Sequence, residues 1–171
     1  MRNVIACLGA GVLLASAGAA QAANPVTTTF GVSASVLKNC TVAATNVAFG
    51  NYTPTAGAVS ANGSVSVSCT KNTTFTVALD KGTTATGTIA QRLMSDGVAG
   101  DPALQYNLYT TSGFATVWGD GTGSSVTQGG TGAGMNNAVT LTVYGNLPDN
   151  ATNQAAPPAT YNDTITVSVA Y

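Results

Sequence analysis

Apolar and polar positions alternate with a period of two along most of this chain. Val65, Val67 and Cys69 alternate with Ser64, Ser66 and Ser68, and Phe75, Val77 and Leu79 with Thr74, Thr76 and Ala78. Leu104, Tyr106 and Leu108 alternate with Gln105, Asn107 and Tyr109, and Val139, Leu141 and Val143 with Thr140, Thr142 and Tyr144. Near the C-terminus, Ile165, Val167, Val169 and Tyr171 alternate with Thr164, Thr166, Ser168 and Ala170. Successive side chains on a strand point to opposite faces, so each run predicts a strand with one core face and one polar face. Helical periodicity is absent. Turn formers such as Gly50-Asn51-Tyr52-Thr53-Pro54 and Leu147-Pro148-Asp149-Asn150 separate the runs. Several short strands punctuated by turns predict an all-β sandwich or barrel. The stretch Gly119–Asn137, rich in Gly, Ser and Thr, reads as a flexible surface loop or a pair of short, weak strands.

The N-terminal part carries two further patterns. Arg2, an apolar run from Val4 to Leu14 and the small-x-small sequence Ala20-Gln21-Ala22 predict a signal peptide over residues 1–22, cut before Ala23. The apolar run is short of the ~20 residues that span a bilayer, and no later stretch approaches that length, so no membrane-spanning segment is expected after signal removal. Farther on, Phe30, Val32, Ala34 and Val36 alternate with Gly31, Ser33 and Ser35. Such a strand either pairs within its own sheet or adds to the sheet edge of another molecule.

Composition narrows the chemistry. The chain has 171 residues, no His and no Glu, and a formal net charge of −1. Without His, His-based acid, base or metal sites are excluded. Beyond residue 22 the basic residues are Lys38, Lys71, Lys81 and Arg92, too sparse for a nucleic-acid footprint or an anionic-lipid patch. Cys7 leaves with the signal, and Cys40 and Cys69 remain, which in an exported chain predicts a disulfide rather than two free thiols. Closing a loop of that length stabilises by about 3–4 kcal/mol in the chain-entropy model. The carboxylates are scattered as Asp80, Asp96, Asp101, Asp120, Asp149 and Asp163, and Asp96-Gly97, Asp120-Gly121 and Asp101-Pro102 read as turns. Gly119–Gly123 has one Asp where a calcium loop needs several convergent oxygens. Gly130–Gly134 lacks the flanking strand, helix and Lys of a phosphate-binding loop. No cofactor, no metal and no catalysis are expected.

An ordered series of segments runs through nearly the whole chain after the signal. It runs Cys40, Val47-Ala48-Phe49-Gly50-Asn51-Tyr52, Gly63 to Thr70, Phe75 to Asp80 with Gly82, Arg92-Leu93-Met94 and Leu104 to Tyr109. It continues through Val117-Trp118-Gly119-Asp120-Gly121 and Val143-Tyr144-Gly145 to Tyr161-Asn162-Asp163-Thr164-Ile165-Thr166-Val167 and on to Tyr171. This set resembles the spore coat protein U-like domain family of secreted bacterial proteins, which includes pilin subunits of archaic chaperone–usher pili. Ala159-Thr160 stand where the family commonly has a Gly, which leaves that loop's conformation open.

The resemblance implies an immunoglobulin-like β-sandwich over residues 38–171 that lacks its final strand. A periplasmic chaperone fills the gap before an outer-membrane usher delivers the subunit. Residues 23–37 of the next subunit then replace the chaperone strand. On this reading Phe30, Val32, Ala34 and Val36 are the donor side chains. Ile165, Val167, Val169 and Tyr171 line the final strand beside the acceptor groove, with no further alternating run after Tyr171. The implied function is a structural subunit of a surface pilus serving adhesion and biofilm formation. A single-domain length suits a rod or adaptor subunit rather than a two-domain tip. Two alternatives stand beside it: a coat or matrix protein of the same fold, with residues 30–36 paired in its own sheet, and a carbohydrate-binding adhesin using Trp118 and the Gly119–Asn137 loop.

Overall fold

The computed structural model describes residues 24–171. The expected signal peptide, with Cys7 and its cleavage site, lies outside the described residues. Two units divide the chain, one ending at Ser35 and one spanning Val36–Tyr171. The described part of the first unit carries neither helix nor strand and is exposed throughout, Phe30 and Val32 at 87% and 86%. The strand expected over 30–36 is therefore taken up by no sheet: among the described residues the first strand begins at Cys40.

The second unit is an all-β sandwich of two antiparallel sheets. The larger contains β1 (Cys40–Thr45), β2 (Val59–Cys69), β7 (Val139–Leu147), β5 (Leu104–Tyr109) and β4 (Arg92–Met94), side by side in that order. The smaller places β3 (Thr74–Leu79) between β6 (Gln128–Thr131) and β8 (Val167–Ala170). The alternating positions meet between the sheets as expected. Val65, Val67, Tyr106, Leu108, Val143 and Leu147 from one sheet pack on Phe75, Val77 and Leu79 from the other. Each such side chain contributes about 1.5–3 kcal/mol when fully buried. Cys40 and Cys69 lie directly opposite in the β1–β2 pairing and form the expected disulfide.

Several elements depart from the sequence expectation. β4 and β6 are too short, and β6 too rich in glycine, to carry a period-two signal. β6 is a short strand of the kind expected within Gly119–Asn137, and glycine fits at its position 130 because a Cβ there would approach the Phe75 ring to 2.9 Å. A single helical turn, α1 (Ala151–Gln154), follows β7. Asn150 caps it by accepting a hydrogen bond from the Asn153 backbone N–H at 2.9 Å. The strand expected over 164–171 pairs only from Val167 to Ala170.

Candidate functional site

β8 pairs with β3 on one side alone, and along its other side the sandwich is open. The opening is a cleft of about 1080 Å³ whose floor is the apolar core itself, including Val65, Leu79, Leu108, Val143 and Leu147. One wall is the segment after β1, with Val47, Phe49 and Tyr52; the other runs from Ala156 to Ile165 and into Val167. Val47, Phe49, Tyr52, Ala156, Tyr161, Ile165 and Val167 in these walls are partly buried against the core. Apolar surface and a free strand edge side by side form a template for an added strand.

Close packing at two glycines sets the first wall. A Cβ on Gly145 would lie 2.5 Å from Val47 Cγ1, and one on Gly63 would lie 2.7 Å from the Thr45 carbonyl oxygen. Only bare backbone lets residues 45–49 cross β2 and β7 this closely. Beyond that crossing, Asp149 pins the wall. Its carboxylate accepts from Tyr52 Oη at 2.6 Å, from the Thr55 and Gly57 backbone N–H groups at 3.2 and 2.9 Å, and from Gln154 Nε2 at 3.0 Å. The Tyr52 bond does most to hold the Asp149 carboxyl down to about 2. Tyr52 is pushed up to about 12 by desolvation and by its bond to Asp149.

This depressed carboxyl has a consequence in acid. Its contribution is present above the ordinary Asp value of about 3.9 and is lost as pH falls through its folded value of about 2. The urea midpoint of the protein is expected to fall between about pH 4 and pH 2. The Asp149→Asn variant should show a shallower fall in that window. Equal slopes would show that the pin does not act through charge.

The second wall is anchored by other carboxylates. Asp163 accepts from the Thr83 backbone N–H at 2.8 Å, Thr83 Oγ1 at 2.9 Å and Tyr106 Oη at 2.6 Å. Burial and then the bond to Asp163 raise Tyr106 above the ordinary phenol range. Asp80 accepts from the backbone N–H groups of Gly82 at 3.0 Å and Thr166 at 2.9 Å. Burial pushes its carboxyl up, but the bonds from Thr166 and Gly82 outweigh that and hold it below its usual value. A backbone bridge between Ser95 and Asn162 fixes the same wall to the end of β4.

Arg92 is wholly buried between the two sheets. It donates to the carbonyls of Asp80 at 2.8 Å and Trp118 at 2.9 Å, to Asn107 Oδ1 at 2.6 Å, and more weakly to the Leu79 carbonyl at 3.4 Å. Burial lowers its affinity for its proton, opposed by Tyr106 and by Asp80, Asp163 and Asp120. Asn107 passes the connection on to the Ile89 and Ala90 carbonyls at 3.1 and 2.7 Å.

The residues singled out in the sequence fall as follows. Ile165 and Val167 border the cleft. Val169 packs against the core away from its lining, and Tyr171 is exposed at 54%. Phe30, Val32, Ala34 and Val36 are exposed. Trp118 is fully buried, its Nε1–H donating to the Val77 carbonyl at 3.1 Å, so it offers no face to a sugar. Asp120 caps its own turn by accepting from Thr122 N and Oγ1 at 2.9 and 2.6 Å. Val47, Phe49 and Tyr52 were visible as a motif but not as a wall, because nothing local says that the chain crosses a sheet there.

Comparison with known proteins fits this geometry. The Spore Coat Protein U domain matches residues 26–168. The chain belongs to that family. No curated protein matches it. Among solved structures, this family member is similar to a chain of the CsuC–CsuE chaperone–tip adhesion subunit pre-assembly complex, from the archaic chaperone–usher Csu pili of Acinetobacter baumannii. The identity is 25% and the TM-score 0.53, over 80% of this chain. It spans 40% of the length of that solved chain. Among the described residues, no helix of this Spore Coat Protein U domain protein is long and apolar enough to cross a membrane.

Proposed function

We propose that this protein is a structural subunit of a surface pilus, exported and assembled by a periplasmic chaperone and an outer-membrane usher, and serving adhesion and biofilm formation. The carrying observation is the open cleft beside β8, with the apolar core as its floor. Residues 30–36 supply the matching part. Their alternating apolar side chains are exposed, so the segment is free to enter the cleft of a second copy. Phe30, Val32, Ala34 and Val36 then point to the floor, while main-chain hydrogen bonds form along Ile165–Val169. Before assembly a chaperone strand covers the same cleft, which otherwise exposes apolar surface and unpaired backbone. The family membership and the similarity to a subunit captured with its chaperone support this reading. The protein acts by joining, and no catalytic role is assigned to it.

The test uses the refolded full chain and a synthetic peptide of residues 24–37. The chain alone should give a ladder of oligomers on size exclusion. Excess peptide should collapse the ladder to peptide-bound monomer, whereas a peptide carrying Val32→Asp should not. A chain that stays monomeric, stable and indifferent to the peptide would point instead to a coat or matrix protein complete in itself.

A further inference from the structure

The carboxylates beside β8 come from two segments that reach into each other, Leu79–Gly82 and Tyr161–Thr164. The β3–β8 ladder ends at the pair Leu79 and Val167. Past that point the Asp80 backbone N–H and side-chain carboxylates carry the attachment. Asp80 accepts the Thr166 N–H at 2.9 Å with Oδ1 and returns its own N–H to the Thr166 carbonyl at 3.1 Å. From the other segment, Asp163 accepts both the N–H and the hydroxyl of Thr83. Gly82, at φ +87°, lies against the Asp163 carboxylate so closely that any side chain there would displace it. Only a glycine fits both the conformation and the contact.

This arrangement decides which way the strand faces. Thr166 directs both of its backbone groups at Asp80. Backbone groups alternate sides along an antiparallel strand, so those of Ile165, Val167 and Val169 lie on the opposite, unpaired side. We infer that Asp80 and Asp163 are positioning residues for strand capture: they extend the free edge of β8 back to Ile165 and hold its main-chain groups toward an incoming strand. The inference rests on the strand-addition reading above. Without the Asp80 carboxylate the Thr166 N–H has no acceptor, and only the Asp80 N–H to the Thr166 carbonyl still ties this stretch to Asp80, so the peptide group between Ile165 and Thr166 is held less firmly toward the free side. An arriving strand must then order it itself, which slows capture. Once a strand is seated, its own hydrogen bonds hold the same group in place.

Capture and release of a fluorescent 24–37 peptide by the full chain separate these effects. Asp80→Ala and Asp163→Ala should each slow capture about tenfold, the equivalent of one lost hydrogen bond, and leave release of bound peptide near the wild-type rate. Asp80→Asn keeps an oxygen facing Thr166 and should capture within about twofold of wild type. Wild-type capture rates in both alanine variants would overturn the inference and leave strand addition standing. So would faster release at an unchanged capture rate, which marks a merely structural role. Failure of the wild-type chain to capture the peptide would instead overturn strand addition itself.

Discussion

Deletion of residues 23–37 is expected to abolish fibre formation while residues 38–171 keep their fold and their open cleft. The deleted segment contributes no strand to either sheet, so its loss removes no sheet hydrogen bond among the described residues. What it removes is the exposed apolar series Phe30, Val32, Ala34 and Val36. Seating Phe30, Val32 and Val36 on the cleft floor contributes up to about 1.5–3 kcal/mol each, before the cost of ordering the segment. Without the segment each copy is an acceptor with nothing to donate. Electron microscopy should show no fibres from the deletion variant, and the variant should still bind added 24–37 peptide. Appending residues 24–37 after Tyr171 through a flexible Gly/Ser linker should give a self-filled monomer that neither polymerises nor binds peptide. Fibres from the deletion variant would show that another segment donates. Strand addition over residues 30–36 would then be wrong.

Replacing Arg92 should unfold a large share of the molecule. Arg92→Leu keeps apolar bulk but leaves the Asp80, Leu79 and Trp118 carbonyls without their donor and Asn107 Oδ1 with only the Leu108 N–H. Each buried acceptor left unpaired costs about 1–3 kcal/mol, so with partial relaxation the loss should reach about 3–5 kcal/mol. Against a typical domain stability of 5–15 kcal/mol, that is enough to populate the unfolded state measurably. Arg92→Lys should recover only part of the loss, because one ammonium cannot reach acceptors spread over β3, β5 and Trp118 as the planar fork does. Urea unfolding of the peptide-filled protein measures both. A cost below about 1 kcal/mol for Arg92→Leu would mean that other donors already serve these acceptors. Arg92 ties β4 to Asn107, Trp118 and the end of β3, while the Asp80 and Asp163 carboxylates bond Thr166 and Thr83 at the cleft wall. The same short stretch, Leu79-Asp80, serves both, since Arg92 takes its carbonyls and Thr166 takes its carboxylate.

The local alternation of apolar and polar residues determined the strand class, the core faces and most of the strand positions. That follows because a strand's two faces are set by neighbouring residues alone. Val65, Val77, Leu79, Leu108 and Val143 were legible as core on those grounds, and Cys40 with Cys69 as a disulfide from their count and compartment. The apolar rhythm of residues 30–36 was equally plain. That the chain's own sheets leave it unused was not, because a period of two does not name a pairing partner. Only the tertiary structure decided which edge of β8 stays free, that residues 45–49 cross the sheet at Gly63 and Gly145 to wall the cleft, and that Trp118 lies in the core rather than on the surface. It also turned the scattered Asp80, Asp149 and Asp163 into anchors. Their partners Thr166, Tyr52 and Thr83 lie far away in sequence, and hydrogen bonds across such separations leave no periodic trace.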